Sequence, residues 1–205
     1  QVQFRTLYLQ TLHFVALLTF PIMGGLWVAR HEFVAVAFGT KWAGLTELIA
    51  WLAPVGALQS VVSTTGTVFM SKGQTQVLLR LGLWGAFVQV SAFVLGSSLG
   101  LVQVAMCYLV ANVLNFYPNM LLAMRMCDAG MKDAYKTLAP AAMATITMIL
   151  VCIAMGQAME GLLPQSVKLG VLAVSGGLTY LIFLRLLFQK SWSALLAALP
   201  GRRGA

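Results

Sequence analysis

Charge is what this sequence most lacks. Only 9% of its 205 residues are Asp, Glu, Lys or Arg, and just five are acidic, where a water-soluble domain carries about 25% charged residues. So few cannot clothe a water-facing surface, and a soluble fold is excluded. Cysteine is scarce too: Cys107 and Cys152 lie within apolar runs and Cys127 in a polar connection, a spacing that neither frames disulfides nor suits a metal. The only histidines, His13 and His31, lie about five turns apart along one helix, which rules out a shared zinc site within it. There is no Gly-rich phosphate loop, nucleophile elbow or metalloprotease motif. The sequence therefore offers no catalytic residue, no metal site and no cofactor.

What fills the chain is hydrocarbon. Hydrophobic residues make up 60% of it and the mean hydropathy is +0.88. They fall in six runs, near residues 9–29, 45–70, 77–95, 101–124, 139–159 and 169–188. Each is close to the ~20 residues that cross a bilayer as a helix. None alternates as barrel strands do. The expected fold class is therefore all-α, a polytopic membrane helix bundle whose helices satisfy their own backbone groups in lipid. Pro21 and Pro54 interrupt the first two runs and predict kinks there. Residues 30–42 are too short to cross and are expected at the interface, where Trp42 fits. Residues 1–190 form one transmembrane unit, and 191–205, with Trp192, an interfacial tail.

Assigning alternate connections to alternate sides sorts the cations. One side receives ten of thirteen: Arg5, Lys72, Arg80, Arg125, Lys132, Lys136, Arg185, Lys190, Arg202 and Arg203. The other keeps Arg30, Lys41 and Lys168. The positive-inside rule then puts both termini in the cytoplasm. The formal net charge of +8 is thereby a matter of topology and anionic headgroups, with no nucleic-acid partner implied.

Residues 12–73 carry a resemblance. An apolar helix with Phe20-Pro21-Ile22-Met23-Gly24-Gly25-Leu26 leads to the outer Phe38-Gly39-Thr40-Lys41-Trp42. A helix with Trp51-Leu52-Ala53-Pro54 follows, and Gly66 through Met70 runs into Ser71-Lys72-Gly73. This pattern resembles the polysaccharide-transporter (Wzx-type) flippases of the MATE-like MOP superfamily. The resemblance implies two lobes around a central cavity, these six helices forming the C-terminal lobe. It also implies a place in the bacterial inner membrane. The implied cargo is an undecaprenyl-pyrophosphate-linked repeat unit for O-antigen, capsule or exopolysaccharide, moved by alternating access. On this reading the chain, starting at Gln1 just before its first span and without a signal-peptide pattern, is a fragment whose N-terminal lobe is missing. The partners are the lipid-linked oligosaccharide, the bilayer and that lobe.

Such cargo calls for cations to hold phosphate, and amides, hydroxyls and aromatic faces to meet sugars. Arg80, inside the third span, is the leading phosphate candidate, because an ionisable group is expensive there. Snorkelling to the headgroups is its other reading. Arg30 and Lys41 bracket the interfacial segment and either receive phosphate on release or anchor helix ends. Glu47 is either an ion-coupling carboxylate or a partner for Lys41. Tyr108, Asn112, Asn115 and Asn119, at steps of four, three and four, share one helix face. They serve either as interhelical glue or as a sugar-facing wall. Gln59 shares a face with Ser63 and Gly66, small and polar residues that either allow close helix packing or meet a ligand, and Trp51 either stacks on a sugar or is a buried or interfacial Trp. Asp128 and Asp133 are expected in a solvated connector. A cation-coupled MATE-type exporter or a lipid II flippase is the nearest alternative. A polyprenyl-linked glycosyl or acyl transferase and a structural membrane subunit are further ones, and the scarcity of acidic groups argues against the transferase.

Overall fold

The computed structural model describes residues 2–188, so the tail at 191–205, with Lys190, Arg202 and Arg203, lies outside the described residues. Among the described residues seven α-helices follow one another: α1 (Val2–Val28), α2 (Arg30–Ala37), α3 (Leu45–Ser71), α4 (Thr75–Ser97), α5 (Leu101–Met126), α6 (Met131–Ala158) and α7 (Gln165–Leu187), with one 3₁₀ turn at Thr40–Trp42. Six of them, all but α2, are long and apolar enough to cross a membrane. The chain is a polytopic helical bundle, and no strand occurs among the described residues.

Local chemistry sets where the helices stop. At the end of α3, Gly73 takes φ +68°, Gln74 N–H bonds Phe69 C=O at 2.8 Å and Gly73 N–H bonds Met70 C=O at 3.1 Å. This paired closure uses the left-handed residue that glycine supplies without strain. α5 ends the same way with Asp128 in the left-handed position at φ 53°, Ala129 N–H reaching Met124 C=O at 2.9 Å. At the start of α6, the Asp133 carboxylate accepts the Gly130 N–H at 3.0 Å. That cap starts the helix at Met131, eight residues before the apolar run becomes recognisable near residue 139. The polar stretch between the apolar runs that end near 124 and begin near 139 thus shrinks, as a connection, to the few residues between α5 and α6. Pro21, Pro54, Pro118 and Pro140 all lie inside continuous helices, so Pro54 does not break α3.

The helices pack as a curved row, α4–α5–α3–α1–α6–α7, with α2 lying over α7 and α3 at one end. Small residues allow the close approaches. A Cβ on Gly176 of α7 would lie 2.9 Å from Cys152 Sγ of α6, whereas one on the adjacent Gly177 would meet nothing within 4 Å. Most of the large fully buried side chains, among them Leu12, Phe69, Met120, Met124 and Leu184, lie in one half of the bundle, with Val34 of α2 in the other. The first of these halves carries Arg5, Lys72, Arg125 and Lys132. In the other half the helices leave open clefts.

The ends of the bundle agree with the alternating topology. Arg5 of α1 meets Asp133 of α6 at 2.7 Å, and Lys72 lies 4.9 Å from the centre of the Phe4 ring. Both contacts belong to one end. At the opposite end Lys168 of α7 meets Glu32 of α2 at 2.9 Å. Of the described cations, Arg5, Lys72, Arg80, Arg125, Lys132, Lys136 and Arg185 share the first end, against Arg30, Lys41 and Lys168 at the other. Asp133 is therefore an ion-pair partner and a helix cap, not a free solvated connector residue.

Candidate functional site

Hydrocarbon-facing surfaces should be apolar, and most exposed faces here are. α4 presents Leu79, Leu83, Phe87, Val90 and Val94; α5 presents Val110, Val113 and Leu114; α7 presents Val174, Leu178 and Ile182. α3 is the exception. Its exposed stripe runs Leu52, Gln59, Ser63, Thr67 and Met70, so an amide and two hydroxyls lie open in the middle of a membrane helix. Polar groups facing lipid are costly, so this face turns toward water or another protein element.

Beside that stripe the predicted polar residues of α5 come together. Gln59 Nε2 donates to Tyr108 Oη at 2.6 Å and to Asn112 Oδ1 at 3.1 Å, and Asn112 Nδ2 donates to the Tyr108 carbonyl at 2.8 Å. Tyr108 stacks on Phe93 of α4 with ring centres 5.2 Å apart. Three helices therefore fix one hydroxyl, two amides and an aromatic face. Asn112 is buried and Gln59 exposed, and their bond links α5 to α3; the exposed Ser63 bonds the Ser60 carbonyl of its own helix. Gly66 faces open space.

Asn115 departs from the rest of its stripe. It is 6% exposed and neither end of its amide has a hydrogen-bond partner; a Cβ on Gly85 of α4 would lie 3.7 Å from its Nδ2. Asn119 bonds only the Asn115 carbonyl, at 2.8 Å. A buried amide without partners costs about 1–3 kcal/mol. Asn115→Leu, of similar volume, should therefore raise the thermal midpoint of the purified protein in detergent. A lower midpoint would show that the amide is satisfied in the membrane and holds α4 to α5.

At the end opposite Arg5, a cleft of about 480 Å³ gathers three other predicted residues, Arg30, Glu47 and Trp51, together with Trp27 and His31. Arg30 lies over the Trp27 ring, 5.0 Å from its centre, and donates to the Trp27 carbonyl at 2.7 Å. Trp27 Nε1 donates to Ala50 C=O at 3.0 Å, tying α1 to α3. Glu47 is exposed and forms no ion pair, so the Lys41–Glu47 pair expected from their spacing is absent. Lys41 and Arg80 are exposed and unpaired, apart from this cleft and from the Gln59 cluster. Sequence reasoning missed Glu32 as a partner of Lys168, since nothing local links positions so far apart. At the basic end Cys127 is buried and burial pushes its thiol pKa up, with Lys72 opposing, so it is a packing residue rather than a reactive thiolate. Among the described residues no three His, Cys, Asp or Glu converge as a metal site.

Fold and charge distribution define a multi-pass helical membrane protein. Comparison with known proteins bears out its resemblance to the polysaccharide transporters. A family described as "Polysaccharide biosynthesis protein" matches residues 1–47. The chain is 28% identical over 112 residues to the lipopolysaccharide biosynthesis protein WzxC of Escherichia coli (strain K12), covering 54% of this chain and 23% of that protein. It is 25% identical over 198 residues to the teichuronic acid biosynthesis protein TuaB of Bacillus subtilis (strain 168), covering 92% of this chain and 40% of that one. The chain thus spans well under half the length of the curated relatives it matches. No solved structure matches it.

Proposed function

We propose that this chain is one lobe of a lipid-linked oligosaccharide flippase of a bacterial inner membrane, with both termini of this segment on the cytoplasmic side. The excess of cations at the Arg5 end supports that orientation. The observation that carries the function is the polar stripe of α3 beside the Gln59–Tyr108–Asn112 cluster. It lines the side of a cavity that a second lobe completes, consistent with relatives more than twice as long. Amide and hydroxyl groups with an adjacent aromatic face meet sugar hydroxyls and rings; Arg80 shares the exposed α4 face of Leu83 and Phe87, from which its long stem snorkels to the cytoplasmic headgroups. Rocking of the two lobes then exposes the site to alternate sides.

The test is transport by the full polypeptide in vesicles, read as protection of a labelled lipid-linked oligosaccharide from an impermeant glycosidase. Gln59→Leu with Asn112→Leu should slow transport roughly tenfold, the size of one or two lost buried hydrogen bonds, while the thermal midpoint holds. Undiminished transport by that pair would remove the cluster from the site. Transport of lipid-anchored sugar by neither wild type nor variant would remove the function.

A further inference from the structure

The cleft holding Arg30, Glu47 and Trp51 does not end at its polar mouth. A second cavity of about 380 Å³ adjoins it between α1, α3 and α6, and the two share Trp27 and Pro54 as lining. The deeper space is walled by Phe20, Met23, Ala57, Ile146 and Ile149. Thr145 also lines it, 7% exposed and with no partner for its hydroxyl. From Arg30 down to Phe20 is about 15 Å of helix, half of the ~30 Å hydrocarbon thickness. The pair of cavities is therefore polar at the headgroup level and apolar through one leaflet.

We propose that this two-part cavity binds a single phospholipid with a zwitterionic head, its chain running down toward Ile149. The mouth selects the head by charge. Arg30 is held in place by Trp27 and keeps N–H groups for a phosphate, since the structure gives its guanidinium only one hydrogen bond. Glu47, which has no ion-pair partner, receives an ammonium group, and the Trp51 face lies beside it. An anionic head with no ammonium would leave Glu47 as an opposing like charge. The site is separate from the Gln59 cluster, so it stands or falls without the transport assay.

Native mass spectrometry of the protein, released from micelles holding equal phosphatidylethanolamine and phosphatidylglycerol, tests this directly. The wild type should retain one phosphatidylethanolamine in preference to phosphatidylglycerol by about fivefold, a modest difference in affinity. Glu47→Gln should erase that preference, Arg30→Gln should weaken retention of both lipids, and Ala57→Phe should displace the chain. The two charge variants lie at the open mouth, so they report even if Ala57→Phe disturbs folding. Equal retention of both lipids by the wild type overturns the proposal. So does an unchanged preference in Glu47→Gln, or a polyprenyl phosphate displacing phosphatidylethanolamine at equal concentration.

Discussion

Lys168→Met should destabilise the protein by about 3–5 kcal/mol, the usual consequence of leaving one member of a buried ion pair without its partner. Lys168 and Glu32 meet at 2.9 Å with side chains only 17% and 9% exposed. Glu32 would then have no cation beside it in a site with little water. Met preserves the stem that lies against Gly156 of α6, so the loss isolates the charge rather than the packing. The double variant Glu32→Gln with Lys168→Met should recover most of the loss, because no charge is then left buried alone. The pair ties α2, which spans no membrane, onto α7. If that tie is local, the loss appears as faster amide exchange at Phe38 and Gly39, both bonded to the Val34 carbonyl, ahead of any change in melting. A single variant that melts and exchanges like the wild type would show that the pair holds nothing.

Gly96→Val should be nearly as damaging, for a steric reason. A Cβ at Gly96 would lie 2.6 Å from Val104 Cα and 3.0 Å from Val104 N. Both are backbone atoms and neither can rotate aside, so the turn between α4 and α5 must open. Overpacking typically costs about 1–3 kcal/mol and occasionally more. α4 has α5 as its main neighbour, so little else would hold it. The readout is disulfide formation between Phe93→Cys and Tyr108→Cys, whose rings stack in the wild type, with and without the added valine. Gly177→Val is the control, since no atom lies within 4 Å of its added Cβ. Equal crosslinking with and without Gly96→Val would mean that the hairpin yields freely at this contact.

Where reading along the chain fell short, the cause was local. Lys132, Asp133 and Lys136 dilute the hydropathy at the start of α6, although the helix simply extends beyond the apolar layer behind its Gly130 cap. The spacing of Tyr108, Asn112, Asn115 and Asn119 correctly gave one helix face. It did not reveal that Gln59 would bond the first two, or that the Asn115 amide would have no hydrogen-bond partner. No spacing along the chain links Arg30, Glu47 and Trp51 to one another, yet they line one cleft because α1, α2 and α3 converge there.

The sequence by itself determined the number of spans, their order and the end of the bundle that carries the cations. Those properties depend on each residue's own exchange between water and hydrocarbon, which composition and run length report directly. Tertiary structure alone decided which helices adjoin. It joined Arg5 to Asp133 and Glu32 to Lys168, and it joined the polar mouth at Arg30 to the apolar space at Ala57. These are properties of pairs of residues distant in sequence, set by how close small residues let two helices approach, and a one-dimensional pattern of hydropathy does not contain them.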